Sequence, residues 1–397
     1  MIDKLCPTAS TKRLVMFFIA AFIIFILFFT SLTILPLYVI EVGGTEFDTG
    51  IQSTLFFLTA ILLRIYFGPL TDRKGRKIPL LIGAFVFASS TLIFIFTQSV
   101  WSLTLARVYQ AIGLATFLAS GSSFVADMAP VNMRGTYMGV YRLIITLSLL
   151  VGPSVAMEII NRYGYNIWYF SGFIAGVFAL GLIALIKETS APDRVYYSTL
   201  ESMAAVLKEK NLWPVYAGFA LMSVAYGAVM TFVSIYISKY TEIANPALYF
   251  TYYGLAGLLA NLLAGYLSDR IGRTTVVWPC AMLLGLGVML LLFIPVMPGM
   301  IIISAFAAGI GMSGGMSALY AWVVDEAREM VRATALSIQE SIIDMFFALG
   351  TFIFGILSGL FSLSASFGLI GFFEFLFAMM LLVYTRKRQG IQVMAKD

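Results

Sequence analysis

Long apolar stretches separated by short polar loops run along the chain from Leu14 to Tyr384. Each has about 20 or more residues, enough for a helix to cross a hydrocarbon layer of roughly 30 Å. Lipid offers the backbone no hydrogen-bond partners, so helices are expected, and the alternating pattern of a membrane β-barrel is not seen. The pattern predicts twelve membrane-spanning helices, called spans 1 to 12, over residues 14–40, 50–70, 78–97, 100–128, 134–160, 165–187, 211–238, 246–267, 275–297, 299–322, 331–358 and 362–384.

Composition agrees with an all-α integral membrane protein in contact with a lipid bilayer. Mean hydropathy is +0.95 and 11% of the residues are charged, whereas a soluble globule has roughly a quarter. The chain has no histidine, so proton binding falls to carboxyl groups or water. Its two cysteines indicate neither a disulfide framework nor a metal site.

The basic residues are distributed unevenly between the two sides of the membrane. Twenty of the 25 Lys and Arg residues lie in the termini and the loops on the same side, and only Arg162 and Lys239 lie on the other. The positive-inside rule predicts that both termini are cytoplasmic. We expect the chain to lie in the cell membrane, that is, the inner or plasma membrane. The net charge is only +5, and its placement in short loops predicts no nucleic-acid partner.

The chain divides into two similar halves. "GPLTDRKGRK" (68–77) recurs 197 residues later as "GYLSDRIGRT" (265–274), and "ADMAPVNMRG" (126–135) corresponds to "VDEAREMVRA" (324–333) at an offset of 198. Two echoes at nearly one spacing predict a duplicated six-helix unit, as in secondary transporters. We therefore expect two pseudo-symmetric bundles, residues 1–187 and 211–397, joined by a cytoplasmic linker at 188–210 with a short helix between Leu200 and Glu209.

Both loops fit the pattern G-x-L-[ST]-D-R-x-G-R, which resembles the signature loop of the major facilitator superfamily. Span 5 partly resembles the glycine-rich motif of its drug:proton antiporter branch, although Ser148 and Ala156-Met157 stand where that motif has glycines. The resemblance implies the two-bundle fold and alternating access. Other matching residues are Arg107, Gln110 and Gly113 in span 4, the Asp127…Pro130…Arg134-Gly135 run, Gly139, and Gly152-Pro153 as a hinge in span 5.

The resemblance also implies a cytoplasmic gate. Asp72 would pack near span 11 and Asp269 near span 5, while Asp127 would pair with Arg134 or Arg76, and Asp325 with Arg332. The alternative for the basic residues of the first loop is that they only fix orientation in the membrane. The complete predicted gate is Gly68, Asp72, Gly75, Arg76, Asp127, Arg134, Gly265, Asp269, Gly272, Arg273, Asp325 and Arg332.

Ionisable residues inside the spans are the candidates for coupling and substrate binding, because each is costly at bilayer depth. The family fold places spans 2 and 11 side by side, so we predict an Arg64–Glu340 pair between the bundles. The repeat relates Asn261 to Arg64 and Arg142 to Glu340, which predicts a matching polar contact between spans 5 and 8. The candidates are Arg64, Arg107, Arg142, Asn261, Glu340 and Asp344, with Glu374 as a structural or lipid-facing residue.

Glu340 and Asp344 lie one helical turn apart and share a face. Two close carboxylates raise each other's proton affinity, so one could bind the coupled proton. The alternative is an ion pair of one acid with Arg64, the other being solvated. The family resemblance links Arg107 to proton translocation, and the alternative is a side chain that snorkels to the membrane surface.

These features predict a secondary active transporter, most like a proton-coupled exporter of a small organic or amphiphilic solute. The alternative is a proton-coupled symporter that imports a nutrient or organic anion, since three arginines lie in spans of the first half. An enzyme or primary pump is not expected, because the chain has no histidine, clustered cysteines or GxxxxGK[ST] loop. We expect a monomer without a bound cofactor, driven by the proton gradient.

Overall fold

The computed structural model describes residues 9–130, 133–187, 206, 208–328 and 332–394. For residues 9–11, 65, 68–74, 119, 134, 135, 262, 332, 333 and 388–394 it describes the backbone alone. Within these ranges the chain forms helices and turns and no strand. The helices are α1 (Ala9–Thr33), α2 (Leu35–Glu41), α3 (Glu46–Lys74), α4 (Lys77–Phe96), α5 (Val100–Met128), α6 (Arg134–Tyr163), α7 (Tyr165–Leu185), α8 (Trp213–Tyr240), α9 (Leu248–Ile271), α10 (Arg273–Leu290), α11 (Met300–Glu326), α12 (Arg332–Leu360) and α13 (Leu363–Met394).

The helices follow the predicted spans closely. Eleven of them, within the residues searched, are long and apolar enough to cross a membrane. The helix α3 is not among the eleven, but it covers the whole of span 2, and its side chains beyond Arg64 are described only in part. The predicted all-α membrane fold is therefore confirmed.

Span 1 is divided between α1 and α2, where one helix was expected. The break falls at Ile34, two residues before Pro36. Proline has no backbone N–H to donate and its ring crowds the preceding turn, so a helix passing through it loses a bond. The proline is accommodated by starting α2 at Leu35, which places it in the first turn.

The chain consists of two compact units, Met1–Arg194 and Val195–Asp397. In the first, α5 packs against α3 and α4, α4 also packs against α7, and α1 packs against α6. In the second, α11 packs against α9 and α10, α10 also packs against α13, and α8 packs against α12. Each contact in one unit thus has its equivalent in the other. Most of the predicted linker at 188–210, including most of its expected helix, lies outside the described residues.

Glycines allow the helix backbones of the second unit to approach closely. A Cβ atom at Gly350 of α12 would overlap the carbonyl oxygen of Val224 on α8, and one at Gly227 would overlap the carbonyl oxygen of Phe347. Small residues at helix contacts are the usual means of tight packing in membranes, where the hydrophobic effect does not drive helices together. This contact fixes the position of α12, which carries the candidate carboxyl groups.

Candidate functional site

The two repeated loops adopt the same backbone turn. Gly75 ends α3 with φ of 87°, and Gly272 ends α9 with φ of 95°. Side chains other than hydrogen rarely adopt these positive φ values, which explains glycine at both positions. The turn places an arginine at the start of the next helix in each unit, Arg76 before α4 and Arg273 at the first residue of α10.

Each of these arginines forms an ion pair with the repeated aspartate. Arg76 Nε lies 3.1 Å from Asp127 Oδ2 at the end of α5. Arg273 Nε lies 2.7 Å from Asp325 Oδ2 near the end of α11. The four residues are related by the same two offsets that relate the motifs in the sequence. Of the two partners expected for Asp127, the structure shows Arg76, whereas the partner shown for Asp325 is Arg273.

The pair in the second unit has further contacts. Arg273 also pairs with Asp269, one turn earlier, and donates from Nη1 to Ser268 Oγ over 2.7 Å. The pair is more open than its counterpart: the Arg273 and Asp325 side chains are 19% and 51% exposed. The Arg76 and Asp127 side chains are 4% and 15% exposed.

Several predicted gate residues are described only in part. The side chains of Asp72, Arg134 and Arg332 lie outside the described part of the chain, so their predicted contacts stay predictions. Gly68 is described by backbone alone, within α3. Gly265 lies against α11, where a Cβ atom would be 3.6 Å from Ser317 Oγ.

Arg107 forms the centre of a buried polar network in the first unit. It is 1% exposed. Its Nη1 donates to Ser31 Oγ and to Gln110 Oε1, each over 2.5 Å. Ser31 Oγ also lies 3.0 Å from Gln110 Oε1, and Gln110 Nε2 donates to Ser90 Oγ over 3.2 Å. The guanidinium carbon is 3.9 Å from the centroid of the Phe56 ring. The alternative that Arg107 snorkels to the surface is wrong.

The partners that these contacts give Arg107 are all neutral. A buried positive charge is costly unless it is paired or well hydrogen-bonded. Here two polar side chains accept from the guanidinium, and the face of an aromatic ring contributes a favourable cation–π interaction. The network connects side chains of four helices in the first unit, α1, α3, α4 and α5.

The two candidate carboxyl groups of α12 differ in their surroundings. Glu340 is exposed, and its Oε1 accepts a hydrogen bond of 2.8 Å from the Tyr320 hydroxyl of α11. Asp344, one turn further along the same face, is 9% exposed. One of the two acids therefore opens to the unit's surface while the other is largely enclosed.

The remaining candidates lie on different helices. Arg64 is half-buried on α3, Arg142 is exposed on α6, and Asn261 is half-buried on α9, where its carbonyl oxygen is 3.4 Å from Ser317 Oγ. Arg64 and Glu340 belong to different units. Their pairing stays a prediction, as does the matching contact between Arg142 and Asn261.

Glu374 is buried, so the lipid-facing option for this residue is wrong. It is 2% exposed, and its Oε1 has no hydrogen-bond partner among the described residues. Gly371, one turn earlier on α13, contacts the backbone of α10 at Gly285, and Ala378, one turn later, is fully buried. Glu374 therefore lies on the face of α13 that packs inside the second unit.

The predicted hinge lies inside a continuous helix. Pro153 is within α6, which runs unbroken from Arg134 to Tyr163. A Cβ atom at Gly152 would be 3.3 Å from the Ile26 side chain of α1, so this glycine lies at the α1–α6 contact. A hinge movement at this point stays a prediction.

Sequence reasoning did not single out four residues that contact the candidates or their network: Ser31, Phe56, Ser90 and Tyr320. A signal existed for Ser31, which lies in the polar run "TSLT" at the end of a very apolar helix. Phe56 and Tyr320 are two among many aromatic residues, and no spacing distinguishes them. No group of three or more His, Cys, Asp or Glu residues that could hold a metal ion occurs in the part of the chain that was searched.

Two units with equivalent helix packing, equivalent ion pairs and apolar helices define a duplicated membrane transport protein. The family model described as the Major Facilitator Superfamily matches residues 17–247 and 240–393. The chain belongs to this superfamily, and it is a multi-pass membrane transporter, not an enzyme. The resemblance predicted from the repeated loops is thus confirmed.

Curated relatives match at low identity over part of their length. An uncharacterized MFS-type transporter of Methanocaldococcus jannaschii is 28% identical over 190 residues, 46% of this chain and 48% of the relative. Multidrug resistance protein MdtG of Proteus mirabilis is 24% identical over 66% of this chain and 67% of its own. Quinolone resistance protein NorA of Staphylococcus aureus is 25% identical over 57% and 59%. The match thus spans about half to two thirds of each relative.

Solved structures resemble the chain over nearly its full length. A peptide transporter POT variant in complex with sulfate gives a TM-score of 0.80 at 14% identity, covering 95% of this chain and 94% of that one. A bacterial homolog of the human lysosomal transporter Spinster gives 0.75 at 16% identity, covering 94% and 95%. These identities are too low to indicate more than a shared fold.

Proposed function

We propose that this chain is a proton-coupled exporter of small organic or amphiphilic solutes, working by alternating access. The observation that carries the proposal is the arrangement of the two acids on α12. Asp344 is enclosed, and Glu340 is open and accepts from Tyr320. A coupled transporter needs a carboxyl group that takes up and releases a proton in different states, and the chain has no histidine for this task.

The first unit contributes a fixed positive charge. Arg107 is held by Ser31, Gln110 and the Phe56 ring, and its burial keeps it away from bulk water. In this proposal Arg107 shapes the field in which the coupled proton moves. Proton coupling then depends on the positive charge of Arg107 as well as on the shape of its side chain.

Export is favoured over import by the relatives and by the position of Arg107. MdtG and NorA carry names that refer to multidrug and quinolone resistance, which fits an amphiphilic organic cargo. The import alternative relied on arginines as ligands for an anionic solute. Arg107, at 1% exposure, is enclosed by its own helices and is poorly placed for that role.

The two ion pairs are proposed as parts of a cytoplasmic gate. Arg76–Asp127 and Arg273–Asp325 tie the start of one helix to the end of another in each unit. With Gly68, Asp72, Gly75, Arg134, Gly265, Asp269, Gly272 and Arg332, they would hold the loops that close and open as the protein changes state. Gly152 and Pro153 would absorb bending in α6.

The proposal also includes location and assembly. We place the chain as a monomer in the inner or plasma membrane, with both termini in the cytoplasm. Its energy source would be the proton gradient, without a bound cofactor. Fusion of a fluorescent protein that folds only in the cytoplasm to the C-terminus is expected to give a fluorescent product, and a dark but membrane-inserted product would contradict this orientation.

The proposed coupling is tested in proteoliposomes with an acidic lumen. Ethidium, a permanently charged amphiphilic cation, and the quinolone norfloxacin are supplied outside. The wild type is expected to accumulate at least one of them, and Asp344→Asn is expected to abolish accumulation driven by the pH gradient. The exposed loop residue Glu242 offers a control, since Glu242→Gln should retain full accumulation. Full pH-driven accumulation by Asp344→Asn, or transport of neither probe by the wild type, would contradict the proposal.

A further inference from the structure

A small cavity lies between α1, α4 and α7 in the first unit, close to the junction of α1 and α2. Its lining includes Thr30, Ser31, Thr91, Trp168 and Tyr169. The cavity is about large enough for a single water molecule. Nothing in the proposed transport cycle makes use of this cavity.

Two residues that line this cavity carry a buried hydroxyl group without a partner among the described residues. These groups are the Thr30 Oγ1 and Tyr169 hydroxyl oxygens, on residues that are 3% and 4% exposed. A buried hydroxyl without a hydrogen bond is costly, so two of them on one cavity indicate a shared ligand. Thr91, on the same cavity, already donates to the Ala88 carbonyl oxygen over 2.6 Å.

Ser31 connects the cavity to Arg107. Its side chain lines the cavity, and its Oγ accepts from Arg107 Nη1 over 2.5 Å. A serine oxygen has two lone pairs and can accept a second hydrogen bond from a ligand in the cavity. The cavity is thus separated from the buried guanidinium by one side chain.

The positive charge of Arg107 limits which ligand the cavity can bind. The Arg107 guanidinium donates to Ser31, and Ser31 is one of the residues that line the cavity. A positive charge that is one side chain away from the cavity disfavours a sodium ion or hydronium, and the small volume fits one water. Water can accept from Thr30 and Tyr169 and donate to Ser31, which is the usual number of bonds for a buried water.

We infer that this cavity is the binding site of one ordered water molecule, which joins Tyr169 and Thr30 through Ser31 to the Arg107 network. The water satisfies both hydroxyl groups and adds to the solvation of the buried arginine. The inference does not depend on the proposed direction of transport or on proton coupling.

Rapid mixing of the full-length protein into H₂¹⁸O, followed by X-ray radiolysis, tests the site. Hydroxyl radicals formed from bound water label neighbouring aromatic side chains even where bulk water has no access. Tyr169 is expected to be labelled faster than Tyr249, which is fully buried with its hydroxyl 3.2 Å from Ser304 Oγ. Thr30→Val, which keeps the shape and removes one partner of the water, should reduce Tyr169 labelling to the level of Tyr249.

Thr91→Val is the matched control. Like Thr30→Val, it replaces a hydroxyl group by a methyl group at a residue that lines the cavity. The Thr91 hydroxyl already donates to the Ala88 carbonyl oxygen, so Tyr169 labelling should stay at the wild-type rate. Equal labelling of Tyr169 and Tyr249 in the wild type would overturn the inference, as would unchanged labelling in Thr30→Val. A chloride-dependent rate of Tyr169 labelling would show an anion site and would also overturn it. Melting temperatures of all variants verify that they fold.

Discussion

Arg273 Nε lies 2.7 Å from Asp325 Oδ2, and the same atoms of Arg76 and Asp127, at the equivalent positions of the first unit, lie 3.1 Å apart. The two halves of the chain therefore share a specific Arg–Asp ion pair as well as a sequence motif. The two copies differ in exposure, since the first pair is largely buried and Asp325 is half exposed. This difference allows the structural contribution of each pair to be compared directly.

Asp127→Asn is expected to destabilise the protein more than Asp325→Asn. The Arg76 and Asp127 side chains are 4% and 15% exposed, and breaking a buried ion pair by removing one charge costs up to about 3–5 kcal/mol. The exposed counterpart is expected to contribute at most about 1 kcal/mol, because water screens it and Arg273 keeps Asp269 as a partner. Thermal unfolding of the two variants in the same detergent measures the difference, and equal losses of stability would contradict it.

Arg107→Met is expected to retain stability and lose pH-driven transport. Among the described residues Arg107 has no acidic partner, and Ser31 donates to Gln110 Oε1 over 3.0 Å, a hydrogen bond that the substitution leaves in place. Replacing a buried charge by a long apolar side chain is often neutral for stability. The measurements are the melting temperature and ethidium accumulation in proteoliposomes. Arg162→Met, at an exposed pair with Glu158, is the control and should transport normally. A large drop in melting temperature for Arg107→Met would show that the arginine is mainly structural.

Gly350→Ala is expected to weaken the second unit by about 1–3 kcal/mol, as overpacking of a tight contact does. The new methyl group would meet the carbonyl oxygen of Val224, which is backbone and cannot rotate away. Gly359→Ala, in the same helix with nothing within 4 Å of its Cβ position, should be neutral or slightly stabilising. Thermal unfolding distinguishes the two, and similar melting temperatures would mean that the α8–α12 approach is looser than described.

Glu374→Gln is expected to fold and transport like the wild type, within about 1 kcal/mol of stability. Gln has the same shape without a charge, and among the described residues no basic side chain pairs with Glu374, so the substitution leaves no such partner unpaired. Glu374→Lys should prevent folding, because it places an unpaired charge against the backbone contact between α13 and α10. Size-exclusion profiles and ethidium accumulation check both variants. Loss of transport in a well-folded Glu374→Gln variant would show that the carboxyl takes part in coupling.

The helices, the loop turn and the repeat could be predicted from the sequence because each depends on local pattern. Hydropathy locates a span, and glycine at positions 75 and 272 indicates the turn with positive φ. Pro36 indicates the division of span 1, but the apolar run is continuous across this proline and so predicts a single helix.

The side-chain contacts were harder to predict because they depend on helix rotation. Ser31 and Arg107 are 76 residues apart, and only the folded bundle shows that they face each other. For the same reason the sequence left Glu374 as either a structural or a lipid-facing residue, since hydropathy does not say which face of α13 packs inward. Gly371 and Ala378, which lie one turn before and one turn after Glu374, are small residues on the face of α13 that packs inward.

The most direct test of proton-coupled export is to follow lumenal pH when a substrate is the only driving force. Proteoliposomes at equal pH on both sides, loaded with a pH-sensitive dye, receive ethidium outside; ethidium carries no titratable proton near neutral pH and so cannot shift the pH by itself. If the chain exchanges solute for protons, ethidium entry should make the lumen more alkaline, and empty liposomes should show no change. Acidification of the lumen during ethidium entry, or entry without any pH change, would contradict the account.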